Sequence, residues 1–268
     1  MKIPGALAGR WLYRAGILAM SLAWPVFTSP AFSQHLTLEP GSNLNLGAGT
    51  LSLNCGDLTV SGGLSAGSGQ IRSVRHLAID GGNFSLDSGA IFLSGDWNNA
   101  GVFSPGTGSV NIVDGCGTTT TALVGDSTFY DFSAATTAGR LLRVTAGSTQ
   151  AFNHSLTLEG APSNPLTIRS SRAGTAANFD LLEGGRQRVS YVDVADNNAR
   201  GGLTLAPGTP ASFSSVDSGG NTNWFIEIIQ QAVPVDALPV PALLLLAVLL
   251  VLTTSSRRPD PTSQRSSP

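Results

Sequence analysis

Leu58-Thr59-Val60-Ser61-Gly62-Gly63, Leu77-Ala78-Ile79-Asp80-Gly81-Gly82 and Leu156-Thr157-Leu158-Glu159-Gly160 are three versions of one phrase, and they decide the fold class. Each alternates apolar and polar residues over a short run and then breaks at glycine. Alternation with period two puts Leu, Val and Ile on one face of a strand and Ser, Thr and Asp on the other. The same beat runs through His35-Leu36-Thr37-Leu38-Glu39, Thr50-Leu51-Ser52-Leu53-Asn54, Asn83-Phe84-Ser85-Leu86-Asp87 and Ala90-Ile91-Phe92-Leu93-Ser94. Turn signals fall between the runs at Pro40-Gly41, Gly47-Ala48-Gly49, Gly62-Gly63, Gly81-Gly82 and Gly106-Thr107-Gly108. The sequence therefore predicts an all-β body over residues 34–229. Its strands are short, its turns glycine-rich and its phrases recurrent without a strict period. A β-solenoid of the parallel β-helix kind fits these features best, with a β-sandwich as the alternative.

Composition agrees. Of 268 residues 12% are charged and 32 are glycine, against typical values of about 25% charged and about 7% glycine. Such a surface is polar but uncharged and unsuited to exposed amphipathic helices. The single lysine is Lys2. Between Gln34 and Gln230 nine Arg face fifteen Asp or Glu, a net of −6. An acidic body excludes nucleic acid as a partner, since that needs a basic footprint.

The ends differ from the body. Lys2, Arg10 and Arg14 precede an apolar stretch that begins at Ala15 and runs through Phe27, and Ala31-Phe32-Ser33 is a small-x-small site. This is the layout of a secretory signal over residues 1–33, cut by signal peptidase between Ser33 and Gln34. At the other end, a linker over residues 230–241 leads into an apolar run over 242–256, followed by a basic tail over 257–268. The uninterrupted apolar stretch reaches sixteen residues from Ala237, just short of the usual lower limit near 17 for a span. Arg257-Arg258 supplies a positive flank. Pro239-Val240-Pro241, the leucine run and Arg257-Arg258 together resemble the PEP-CTERM and IPTL-CTERM sorting signals. The Pro-Glu-Pro and Pro-Thr-Leu motifs that name those classes are absent. The resemblance implies a cell-surface or envelope protein handled by an exosortase-type membrane protease and held in the membrane by its C-terminal helix before processing. A plain C-terminal anchor and a buried helix are the other readings of the same stretch.

Gly95-Asp96-Trp97-Asn98-Asn99-Ala100-Gly101-Val102-Phe103, with Gly106-Thr107-Gly108-Ser109-Val110 after it, resembles a recurrent phrase of bacterial adhesin-like solenoids. Thr128-Phe129-Tyr130-Asp131-Phe132 resembles the strand that follows in those proteins. The resemblance implies fold and brings no catalytic residues. Arg188 to Asn197 is the longest alternating run and looks like one coil of a parallel β-helix, while Trp224 and Phe225 are placed to cover the last coil.

Residues able to do chemistry are few. Cys55 and Cys116 are the only cysteines, and an even pair in an exported chain points to a disulfide, with two buried thiols as the alternative. His35, His76 and His154 lack metal-ligand spacing and read as surface residues at strand starts. Asp57, Asp80, Asp87, Asp96 and Asp126 border glycine turns, where Asx turns account for them without calcium. Asp193 and Asp196 could form an acid pair for glycan chemistry, but a strand points them to opposite faces and Arg186, Arg188 and Arg200 lie near. The sequence thus implies no catalytic residue, no metal and no cofactor. It favours a non-enzymatic, adhesin-like surface protein contacting glycans or copies of itself, with a glycan-active β-helix enzyme as the alternative.

Overall fold

The structure, a computed structural model, describes residues 35–226 together with Leu244 and Leu245. Signal cleavage at Ser33 and Gln34, the sorting residues Pro239, Val240, Pro241, Arg257 and Arg258, and most of the apolar run at 242–256 lie outside the described residues. Among the described residues no helix is long and apolar enough to cross a membrane.

The body is a parallel β-solenoid of about eight turns. Every strand pairing is parallel, and the few antiparallel bridges close tight loops. Each full coil visits three columns of strands. The first column climbs from Leu36–Leu38 through Leu58–Val60, Leu77–Ile79, Trp97–Asn99, Thr120–Val124, Arg140–Val144 and Leu166–Ser170 to Val192–Ala195. The second begins as a separate four-stranded sheet, Asn43–Asn45, Gly63–Ser65, Asn83–Ser85 and Val102–Ser104, each strand pairing in register with the next. The third stacks Leu51, Ile71, Ile91, Val110, Phe132 and Leu156 one above another.

Register explains the recurrent phrase. Leu58, Thr59 and Val60 sit directly under Leu77, Ala78 and Ile79. The third version, Leu156 to Gly160, occupies a different column, so likeness of phrase does not mean likeness of face. Asn43, Gly63, Asn83 and Val102 advance by 20, 20 and 19 residues per coil. Trp97 to Leu123 then takes 26, because the chain makes an excursion at a corner. Three such excursions are closed by antiparallel bridges, Gly115 to Thr118, Ala161 to Asn164 and Arg172 to Thr175.

The core is one continuous apolar stack. Leu44, Leu64, Phe84 and Phe103 form the inward rail of the four-stranded sheet. Trp97 is wholly buried and meets Phe103 edge-on at 4.7 Å and Phe129 at 5.3 Å. Its indole N–H donates to the Ser127 hydroxyl at 3.0 Å, which satisfies the polar end of a buried Trp. Phe129, Phe152 and Phe179 carry the aromatic rail upward at centroid distances of 5.8 and 5.3 Å. At the far end Trp224 and Phe225 are 4% and 9% exposed and cover the last coil. The Trp224 indole N–H donates to Asn197 Oδ1 at 2.8 Å.

The long run from Arg188 is not one strand. The chain turns a corner at Tyr191, in the left-handed region at φ 50. The run divides into Arg186–Ser190 and Val192–Ala195, which belong to different columns.

Candidate functional site

Cys55 and Cys116 are joined, with Cα atoms 5.3 Å apart and a sequence separation of 61. Both residues adopt left-handed backbone, φ 65 and φ 48. The column containing Leu51 places Ile71 and Ile91 between the coil of Cys55 and the coil that leads to Cys116. The Cα separation is about one strand spacing, so the two segments reach toward each other from coils three apart in the stack, and the bond is a strap that ties those coils.

A buried arginine secures the Cys116 excursion beside the strap. The Arg140 side chain is fully buried. It donates to the carbonyls of Ser94 (2.6 Å), Val113 (3.0 Å) and Thr118 (3.1 Å), and to the Thr121 hydroxyl (2.9 Å). Asp114 stands 3.5 Å away as its counter-charge. Burial lowers the pKa of the guanidinium from its ordinary value, against the opposing pull of Asp114.

Asp57, Asp96 and Asp126 bind across coils, which corrects the expectation of Asx turns within their own segments, and Asp87 bonds both to its own coil and to a neighbouring one. Asp57 accepts two bonds of 2.9 Å from Arg75 and one of 3.3 Å from the His76 N–H. The Arg75 contact holds the Asp57 carboxyl below the ordinary carboxylate range. Asp87 accepts the hydroxyls of Ser85 and Ser65 and is likewise lowered. Asp96 accepts the Ala122 N–H at 2.7 Å, and Asp126 accepts the Thr149 N–H at 2.8 Å. Among the described residues no three of His, Cys, Asp and Glu cluster as a metal-binding group.

Each histidine faces an aspartate one coil away. His35 lies 3.3 Å from Asp57, His76 3.1 Å from Asp96 and His154 2.7 Å from Asp131. His35, Asp57, His76 and Asp96 occupy successive rungs of one corner, because the residues that follow them are in register. His76 and His154 lie within long strands that bend between columns, not at strand starts. Ser155, Asp131 and His154 have the residue types of a hydrolytic triad but not its geometry. The Ser155 hydroxyl donates to the same Asp131 oxygen that faces the His154 ring, whereas a nucleophile must give its proton to the base. Tyr130 stacks on the outer face of His154 at 4.7 Å.

Asp193 and Asp196 do not act together. Asp193 accepts from Arg169 at 2.8 Å and from the Ser218 hydroxyl at 2.5 Å, and Asp196 accepts the Gly174 N–H at 3.0 Å. Burial pushes the Asp193 carboxyl up, but these bonds outweigh it and leave it below the ordinary range. Its cation is Arg169 of the neighbouring coil, and Arg188 pairs with Glu159 instead.

A concavity lies on the corner carrying the first two of these excursions. It encloses about 410 Å³, and its walls include Asp114, Thr136, Thr137, Glu159, Arg188 and Tyr191. Asp114 is already engaged by the Thr136 hydroxyl at 2.8 Å and by the N–H groups of Thr137 and Ala138 at 2.8 and 3.3 Å. Burial raises its pKa, but those donors and the Arg140 charge bring it below the ordinary value. Glu159 holds Arg188 through Oε1. The groove offers hydroxyls, a guanidinium and a tyrosine ring to a polar ligand, and both of its carboxyls, Asp114 and Glu159, are engaged by neighbouring groups.

The chain matches no protein-family model, no curated protein and no solved structure.

Proposed function

We propose that the chain is an exported, non-enzymatic surface or envelope protein. In this reading the solenoid is a rigid body held off the membrane, and the tail is a sorting signal for an exosortase-type protease. One observation carries the non-enzymatic part: the acids that could do chemistry are spent in coil-to-coil bonds. Asp57, Asp96, Asp126, Asp131 and Asp193 each accept from or face a group on an adjacent coil. A general acid and base need free carboxyls of contrasting environment facing one substrate. The outward residues Asn43, Asn45 and Asn83, with Ser65 and Ser85 bonded to the Asp87 carboxylate, present a polar face of low charge, which suits weak contact with glycans. The leader and the tail carry the export and sorting parts, by their charge order and apolar length.

The test is intact mass and location of the protein in a host with an exosortase and in one without. Loss of the C-terminal run only in the first host supports sorting. Retention of Arg257 and Arg258 in both refutes it.

A glycan-active enzyme is the second reading, favoured by the groove that has both Asp114 and Glu159 in its walls. It requires that Glu159→Gln abolish turnover of a polysaccharide the wild type degrades.

A further inference from the structure

We infer that the N-terminal coil is an interface between two copies of this chain, which meet head to head as a closed dimer. The inference rests on the leader reading proposed above.

The two ends of the solenoid are finished differently. At the C-terminal end Trp224 and Phe225 are buried, and the short 3-10 helix Pro210–Phe213 brings Phe213 within 6.4 Å of Phe225. At the N-terminal end nothing comparable lies beneath the first coil among the described residues. Leu36–Leu38 pairs only upward with the following coil, as do Asn43–Asn45 and the Thr50–Ser52 part of the next strand. All three sides of the first coil thus end in strand edges. Leu36, Leu44, Leu46 and Leu51 pack on the core but are only partly buried, whereas Leu64 and Phe84, above Leu44, are 3% and 1% exposed.

Bare strand edges template pairing with another chain, and proteins usually blunt them with charge. This edge is hardly blunted. From His35 to Gly56 the only ionisable side chains besides Cys55 are His35 and Glu39. Cleavage after Ser33 leaves Gln34 alone ahead of His35, too little chain to close the coil. A second copy of the chain can supply that cover, since among the described residues nothing else lies beneath the first coil. Among the described residues each chain has one bare end and one covered end. A two-fold contact between bare ends is self-complementary and closes at two copies. It sets the first-coil strands antiparallel to their mates, so that each edge supplies the other's missing partners. A head-to-tail fibre would need a bare end at Trp224 as well.

The experiment uses the exported chain in detergent, its N-terminus fixed by intact mass, with oligomeric state measured by sedimentation. A chain beginning at Gln34 should sediment at twice the monomer mass, and Leu51→Lys should return it to monomer. Hydrogen exchange on the wild type is the second measurement. Protection over residues 35–51 should rise with protein concentration, while residues 210–226 stay unchanged. A monomer beginning at Gln34, or a dimer that Leu51→Lys leaves intact with no such protection, overturns the inference. A monomer that retains residues 1–33 overturns the leader reading on which it stands.

Discussion

Replacing both Cys55 and Cys116 with alanine should lower the stability of the body by about 4 kcal/mol. The bond closes a loop whose ends are separated by 61 in sequence. Chain-entropy arithmetic for a loop of that length gives about 4 kcal/mol at 25 °C, the upper end of the usual range. Little of this should be recovered or lost in the native state. The Cys116 excursion stays anchored without the sulfurs, because Arg140 holds the carbonyls of Ser94, Val113 and Thr118, and the Thr118 hydroxyl donates to Ser94. Alanine keeps each Cβ, so the backbone cost of left-handed φ at both positions is the same before and after. The assay is urea unfolding of the oxidised wild type beside the double variant. A loss of 4 kcal/mol corresponds to a fall in melting temperature of about 8–16 °C for a body of this size. Location adds a second readout. A solenoid's stability is a sum over neighbouring coils, and the strap ties the coil of Cys55 to one three coils on. Hydrogen exchange in the variant should therefore quicken over residues 35–112 more than over 177–224. An unfolding free energy within about 0.5 kcal/mol of wild type, or a loss spread evenly along the chain, would refute the reasoning.

Trp97→Ala should cost about 3–5 kcal/mol in the same urea assay, since it empties a wholly buried site among Phe84, Phe103 and Phe129. Below pH 3.8 the fold should weaken steadily, read as a falling urea midpoint between pH 5 and pH 2. Asp57, Asp87, Asp114 and Asp193 have folded pKa values lowered from 3.8; their stabilisation is present above that value and is lost as pH falls through the folded values. Asp180, raised by burial, has the opposite sign, so a midpoint that rises on acidification would mean that it outweighs the other four.

The fold was legible because its signal is local. Period-two alternation and glycine turns specify short strands with one buried face, and Leu58-Thr59-Val60 and Leu77-Ala78-Ile79 do stand on successive rungs. Trp224 and Phe225 were legible as a cover for the same reason, as large apolar residues just past the last strand. Pairing between coils was not legible, because partners lie some 20 residues apart and the step varies with each corner. Arg188 is close to Asp193 in sequence, yet the two belong to different columns. Arg188 reaches Glu159 one coil below, and Asp193 is met by Arg169 one coil below it. The histidine–aspartate contacts were hidden by the same geometry: His35 to Asp57, His76 to Asp96 and His154 to Asp131 have spacings that match no short motif.

Coil length separates the part of this body that must be conserved in shape from the part free to vary. In the first coils the steps of 19 and 20 residues leave no spare chain, and several glycines there sit hard against the coil beneath. A Cβ at Gly69 would lie 2.3 Å from the Gly49 carbonyl, and one at Gly89 would lie 2.5 Å from that of Gly69. Such corners fix the rise and tolerate neither side chains nor insertions. Further along, the added residues at Gly115–Thr118, Ala161–Asn164 and Arg172–Thr175 project as closed loops. At Gly117 and Gly174 a Cβ would meet nothing within 4 Å, so there only the left-handed φ of 68 and 75 favours glycine. The groove walled by Asp114, Thr136, Glu159 and Tyr191 lies on the corner of the first two loops. Lengthening these loops would reshape the groove without moving Phe129, Phe152 or Leu156 in the core behind it. The shape of the groove can therefore change at these corner loops, while the first coils and the strap keep the stack in register.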